Sequence, residues 1–180
     1  MEKIPTYEEC RRLFDETGML DNIREHSIMV ARVSCAIAEN LAAGCPINID
    51  LVRAGALLHD ITKTRALSTG EHHAETGGDL LREMGLPRIA EIVAEHVELA
   101  SFDPDGPLLE KEIVHYADKR VKHTEIVTLH DRIDDLLVRY GKTDAHRQHI
   151  MNKIPFNLMI ENKIQKYLIR DIDDIIAEIG

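Results

Sequence analysis

The sequence predicts an all-α protein that folds as a single-domain helical bundle. Three observations favour this class: apolar residues recur at helical spacing along most of the chain, glycine and proline separate the apolar segments, and no alternating apolar and polar run leads into a hairpin turn. The chain has 180 residues, of which 44% are apolar. One domain with a substantial core is therefore expected over residues 1–180.

Start and stop signals predict the first two helices. Residues 6–9, TYEE, form a capping-box pattern that opens a short helix, and Gly18 is expected to end it. Residues 22–25, NIRE, are interpreted in the same way as the start of a long second helix. This helix has a broad apolar face and is expected to end at the glycine and proline of residues 44–46.

Asp50 is expected to cap the third helix, which contains the stretch GALLHDITK at residues 55–63. The stretch LSTGEH at residues 67–72 is predicted to be a loop, and HAETGGDLLREMG at 73–85 a helix that Gly85 ends. SFDPDGPL at 101–108 is the clearest loop of the chain. Further helices are predicted near 88–99, 110–121, 125–140, 144–152, 155–168 and 172–179, and the apolar face of the helix over 155–168 covers the core or forms a homodimer surface.

Composition bounds the partners of the protein. A net charge of −10 argues against a general affinity for nucleic acid or for anionic membranes. No apolar run approaches the roughly 18 residues that span a bilayer, and the first ten residues lack a signal-peptide pattern. Cys10, Cys35 and Cys45 are an odd number without C-x-x-C spacing, so we interpret them as reduced core thiols and expect a cytoplasmic protein.

Several histidines and aspartates fall on apolar helical faces. His59 and Asp60 are adjacent on the third helix, where their side chains diverge by about 100° and can hold two sides of a metal cluster. Asp118 follows the apolar residues of IVHYADKR, where a carboxylate is costly unless it is paired or bound to a metal. Each signal alone is weak, since a lone buried histidine is more often a hydrogen-bonded core residue and Asp118 could pair with Lys119 or Arg120.

The order of these residues resembles the HD-domain superfamily of metal-dependent phosphohydrolases. The motifs REHSIMVA, ALLHDITK and VHYADKR look matched to its pattern of His, His-Asp and a distant Asp. The resemblance covers residues 22–140 as a metal-binding core, with residues 144–180 as additional C-terminal helices. It implies His26, His59, Asp60 and Asp118 as ligands of one metal, and it adds His73 and His96 as ligands of a second. His72 competes with His73, but the spacing to Gly77 favours His73.

The resemblance implies two divalent or mixed-valence transition-metal ions, with iron favoured and manganese, cobalt or zinc as alternatives. Asp60 would be shared by both ions, and a bridging hydroxide would cleave a phosphoester or phosphoanhydride. Lys63 is assigned to a phosphate oxygen, or it is a solvated lysine beside the helix end. Weaker candidates for substrate binding are Arg65, Arg120 and Lys122.

The expected substrate is a small phosphorylated molecule, specifically a nucleotide or a dinucleoside polyphosphate. The bacterial dinucleoside-tetraphosphate hydrolases look closest in motif order. Many relatives have glycine where this chain has Thr62, which reduces backbone freedom at that position. Two other functions stay open at this stage: a di-iron oxygenase that uses the same ligands, and a regulatory module whose metal site is not catalytic.

Overall fold

The computed structural model describes residues 3–179 and confirms the predicted all-α class. Within those residues, the regular structure is helical except for one hairpin of two two-residue strands and an isolated β-bridge between Leu41 and Leu168. In chain order the elements are α1 Tyr7–Glu16, α2 Asp21–Glu39, α3 Ile49–Leu58, α4 Lys63–Thr69, α5 His73–Glu83, α6 Pro87–Glu95, α7 Glu110–Lys119, β1 Val121–Lys122, β2 Glu125–Ile126, α8 Leu129–Tyr140, α9 Asp144–Met151, α10 Lys153–Tyr167 and α11 Ile172–Ala177.

The capping box of α1 is confirmed. The Thr6 hydroxyl accepts a hydrogen bond from the Glu9 amide at 3.2 Å, and the Glu9 carboxylate accepts one from the Thr6 amide at 2.8 Å. Gly18 follows the helix with φ of 65°, a left-handed conformation that glycine adopts without strain. Local sequence is sufficient here, because both partners of each bond lie within one helical turn.

Two other cap predictions are wrong. α2 begins at Asp21 after Leu20, whose amide donates to the Thr64 hydroxyl at 3.0 Å rather than to a capping side chain. α3 is capped by Asn48, whose side chain accepts from the Leu51 amide at 3.1 Å. Asp50 lies in the first turn of α3 and is ion-paired with Arg53.

Two segments also differ from the predicted loops and helices. The predicted loop at residues 67–72 is helical as far as Thr69, and Gly70 ends α4 with φ of 74°. The hairpin of β1 and β2 was not predicted, because strands of two residues are too short to show alternation. His123 occupies its turn with φ of 55°.

α7 lies at the centre of the bundle. Every residue from Lys111 to Asp118 is buried, and α7 packs against α2, α3, α6 and α10. α5 and α6 approach closely because Gly78 has no side chain: a Cβ at this position would lie 2.9 Å from that of Ala94. This packing brings the ends of α3 and α6 and the start of α5 together beside the first half of α2 and the end of α7.

The C-terminal helices belong to the same hydrophobic cluster as the rest of the chain. Ile160 and Ile164 of α10 are fully buried within it. Lys163 forms a buried ion pair with Glu112 of α7 at 2.7 Å, which ties α10 to the central helix. Over residues 3–179, no helix combines the length and the apolar character needed to cross a membrane.

Candidate metal centre

The six candidate ligands come from different elements that converge at one place. One lies on α2, two in the turn that follows α3, one at the start of α5, one directly after α6 and one near the end of α7. In that order they are His26, His59, Asp60, His73, His96 and Asp118. The structure therefore brings together all six residues that the sequence singled out.

Five of these residues form two groups that share Asp60. The ligand atoms of His26, His59 and Asp60 lie within 4.8 Å of one another, and so do those of Asp60, His73 and His96. Asp118 joins the first group, since its Oδ1 lies 3.1 Å from His26 Nε2 and 3.7 Å from His59 Nε2. The two groups offer donor atoms for two adjacent metal ions with one common carboxylate.

Asp60 lies at the centre of the cluster. Its Oδ1 is 3.2 Å from His73 Nε2 and 3.6 Å from His96 Nε2. Its Oδ2 is 3.4 Å from His59 Nε2 and 3.0 Å from Lys63 Nζ. The two oxygens therefore face different histidines, which is the geometry required of a bridging ligand.

Backbone carbonyls orient three of the four imidazoles. His59 Nδ1 lies 2.7 Å from the Ala56 oxygen, His96 Nδ1 lies 2.6 Å from the Val93 oxygen, and His26 Nδ1 lies 2.9 Å from the His123 oxygen. A carbonyl only accepts hydrogen bonds, so each Nδ1 carries the proton and each Nε2 keeps a free lone pair when the ring is neutral. Metal-binding histidines are held in this way, because the second hydrogen bond selects the tautomer.

Unpartnered polar atoms indicate that the cluster fits cations. His59 Nε2 and Asp60 Oδ1 are buried, and neither makes a hydrogen bond, although the cluster's own ligand atoms lie 3.2–3.7 Å away from them. Burying such atoms without a partner is costly, and a coordinated ion would satisfy both. The mixed set of imidazole nitrogens and carboxylate oxygens suits first-row transition metals. The residues present therefore fit the two ions that the resemblance implies.

The two carboxylates remain ionised in the folded protein. Burial opposes the charged form of Asp60, but the neighbouring His59 outweighs it and holds the pKa of Asp60 well below its usual range. Burial likewise opposes ionisation of Asp118, and Lys119 together with His26 holds its pKa well below the usual range. His96 behaves differently, because burial lowers its pKa to about 4 and keeps the ring neutral. Anionic carboxylates and a neutral imidazole are the forms that bind metals.

The turn after α3 is shaped by Thr62. Its φ is −102°, so this position does not require glycine. The Thr62 hydroxyl donates to the His73 carbonyl oxygen at 2.7 Å and thereby links the His-Asp turn to the start of α5. Gly77, four residues after His73, has no side chain where a Cβ would lie 2.9 Å from Val93. His72 is exposed and lies outside both ligand groups.

A cleft of about 480 Å³ opens onto the cluster, and we call it the metal cleft. Asp60, His73, His96 and Asp118 are among its lining residues. Its other lining side chains include five cations of the chain: Lys63, Lys119, Arg132, Arg139 and Lys153. In a protein with a net charge of −10, this local concentration of positive charge favours an anionic ligand.

Three of the predicted substrate-binding residues do not line this cleft. Arg65 pairs with Glu71, and Lys122 pairs with Asp135. Arg120 is 5% exposed, donates to the Val127 carbonyl oxygen and pairs with Asp173, so it ties α7 to α11 instead. Each of these side chains is directed to a partner outside the metal cleft, so the geometry gives no support to the three predictions.

Three cations that the sequence did not single out, Arg132, Arg139 and Lys153, line the metal cleft. Arg132 and Arg139 are seven residues apart on α8 and so lie on one face of that helix, two turns apart. Nε of Arg132 is buried without a partner. Lys153 begins α10 and has no hydrogen bond or ion pair with any residue of the range 3–179. The seven-residue spacing of Arg132 and Arg139 was visible in the sequence, but no local sequence pattern indicated that this face of α8 packs beside the six candidate ligands.

Comparison with known proteins places this geometry in a family. The HD domain profile matches residues 23–121, which include the six clustered residues. An uncharacterized protein of Methanocaldococcus jannaschii is 31% identical over 145 residues, covering 73% of this chain and 85% of that protein.

Two relatives are longer proteins. A tRNA (cytidine(56)-2'-O)-methyltransferase of Thermoplasma volcanium is 33% identical over 143 residues, and a ribonuclease Y of Treponema denticola is 32% identical over 108 residues. The matches cover 69% and 59% of this chain, but the chain spans only 40% and 20% of those proteins. The crystal structure of a "predicted HD superfamily hydrolase" from an uncultured Thermotogales bacterium has a TM-score of 0.50 at 20% identity. The likeness covers 92% of this chain and 95% of that one, and it shows a shared fold.

Proposed function

The chain belongs to the HD domain family, and from this premise we propose that it is a metal-dependent phosphohydrolase. The proposed reaction is hydrolysis of a phosphoester or phosphoanhydride in a small substrate, specifically a nucleotide or a dinucleoside polyphosphate. The observation that carries the proposal is the pair of ligand groups that share Asp60. Two metal positions side by side suit hydrolytic displacement at phosphorus, where attacking and leaving oxygens both need stabilisation.

Four imidazoles and two carboxylates of this chain would hold the ions, which we propose to be iron. When bound, such ions acidify a water molecule and neutralise charge on a phosphoryl group. The backbone carbonyls at Ala56 and Val93 keep His59 and His96 aimed at the cluster. This orientation avoids reorganisation of the ligands during the reaction.

The cations of the metal cleft would bind the rest of the substrate. Lys63 Nζ lies beside Asp60, and we assign it to a phosphate oxygen. Lys119 Nζ is 2.6 Å from Asp118 Oδ2 and compensates the charge of that buried carboxylate. Arg132 and Lys153 approach the cleft from α8 and α10, where they can contact further phosphate groups.

Metal analysis combined with a substrate panel tests the proposal. The purified protein should contain close to two transition-metal ions per chain and should hydrolyse one or more members of a panel of nucleotides, dinucleoside polyphosphates and simple phosphoesters under anaerobic conditions. A short RNA belongs in the panel, because relatives include ribonuclease Y. Asp60→Asn should abolish turnover, whereas His72→Ala is the matched surface control and should retain it.

The alternatives predict different results. Turnover that requires oxygen would indicate an oxygenase with the same ligands. Protein that carries its full metal content and is inert toward the whole panel would indicate a regulatory module. One metal ion or none, even after reconstitution, would contradict the dinuclear site itself.

A further inference from the structure

A second cavity adjoins the metal cleft between α7 and α10, and we call it the ring cavity. It measures about 290 Å³. Val97, Lys119 and Lys153 line both the ring cavity and the metal cleft, so the two spaces meet at these side chains. α10 lies outside the segment that matches the HD domain, which ends at residue 121. The cavity is therefore built partly from a region beyond that shared segment.

The buried lining of the ring cavity is apolar and aromatic. Leu99 and His115 are buried there, and Phe156 is partly buried beside them. The His115 and Phe156 rings pack edge to face, with their centroids 6.1 Å apart. Phe156 makes a similar contact with Phe102 at 5.3 Å, which holds its ring in place. A preformed aromatic surface of this kind binds planar rings by stacking.

Two buried polar residues in the lining, His115 and Asn157, have unused hydrogen-bonding capacity. Asn157 is 5% exposed, and its Oδ1 lies 3.2 Å from His115 Nε2. Its amide nitrogen has no hydrogen-bond partner among residues 3–179. His115 Nδ1 is buried and has no hydrogen-bond partner either, and a buried polar atom without a partner is costly unless a ligand or water satisfies it. The free amide of Asn157 and the ring nitrogen of His115 suit a ligand ring that carries hydrogen-bonding groups at its edge.

We propose that the ring cavity binds the nucleobase of a substrate whose phosphate lies at the metal centre. The inference rests on the proposed function. It assigns a binding site to the part of the substrate that the lysines and arginines of the metal cleft do not contact. Phe156 would stack on the base, and Asn157 would donate to its edge. Lys119 and Lys153, at the junction of the two spaces, lie where the phosphate end of the same molecule would pass.

The test compares substrates with and without a base. kcat/KM is measured for nucleoside 5'-monophosphates and for ribose 5-phosphate, which carries the same phosphoester without the ring. The ratio of the two values does not depend on the fraction of folded enzyme. Phe156→Ala should lower this ratio roughly 5- to 150-fold, the range expected for the loss of one base stack. Phe156→Leu, which keeps most of the apolar volume, should also lower it.

Leu158→Ala is the matched control. This residue is a partly buried apolar side chain of α10 that lines neither space, so its variant should leave the ratio unchanged. An unchanged ratio in both Phe156 variants would overturn the inference, as would a wild-type enzyme that does not distinguish the two substrate types.

Binding of adenosine separates failure of the inference from failure of the proposed function. Adenosine has a base but no phosphate, so its affinity for the purified protein can be measured by calorimetry without turnover. If neither substrate is hydrolysed, adenosine binding that is lost in Phe156→Ala still supports the ring cavity as a base site. Absence of adenosine binding to the wild type in that case would overturn it.

Discussion

Replacing Lys63 by alanine tests whether this ammonium group acts on the substrate or only pairs with Asp60. Its Nζ lies 3.0 Å from Asp60 Oδ2, and 39% of its side chain is exposed. Contact with a phosphate oxygen on which charge develops is worth about 2–4 kcal/mol, equivalent to roughly 30- to 1,000-fold in kcat/KM. Loss of a partly exposed ion pair costs only about 1 kcal/mol or less of folding stability, because solvent screens it.

The assay measures kcat/KM, metal content and the free energy of unfolding on the same Lys63→Ala preparation. We expect a loss of activity in this range, with both metals retained. Lys63→Arg should recover part of the activity, because a flat guanidinium replaces a compact point charge. Arg65→Ala is the control, since Arg65 pairs with Glu71 outside the cleft and its removal should leave kcat/KM unchanged. Full activity of Lys63→Ala with full metal would refute the assigned role.

Further predictions concern metal binding, a buried ion pair and pH. His73→Ala should lower bound metal from two ions per chain to about one by elemental analysis, while His72→Ala keeps both. The reverse result would mean that His72, and not His73, is the ligand. Lys163→Met should destabilise the fold by about 3–5 kcal/mol in urea unfolding, because Glu112 is left charged and buried, and Glu112→Gln in the same chain should restore most of it. Burial and the nearby Lys119 lower the pKa of His115 from 6.5 to about 3. As the pH drops below 6.5, this residue is protonated in the unfolded chain but not in the folded one, so the free energy of unfolding decreases. At pH 5 the free energy of unfolding should be about 2 kcal/mol lower than at pH 8 because of His115, and the His115→Gln variant should lack this decrease. Equal pH dependence of stability in the wild type and the variant would contradict the prediction.

Local signals in the sequence were reliable where one capping residue had no competitor nearby and both partners lie within one turn of helix. The Thr6 capping box and the glycine after α1 are of this kind. The predicted starts of α2 and α3 failed, because Leu20 is held by Thr64 from another helix and Asn48 was an equally good cap two residues from Asp50. The short hairpin after α7 had no detectable pattern, since each strand has two residues.

The sequence by itself predicted the helical class, and its resemblance to the HD-domain superfamily singled out the six residues that the structure brings together. An imidazole or carboxylate on an apolar helical face is costly unless it is bound or paired, but each is a weak signal alone, and only their order along the chain carries the resemblance. The tertiary structure decided which cations face that cluster. Arg120 turns toward Asp173, while Arg132 and Lys153 reach the metal cleft. A long, flexible side chain takes its direction from partners on other helices, and no local pattern encodes where those helices pack.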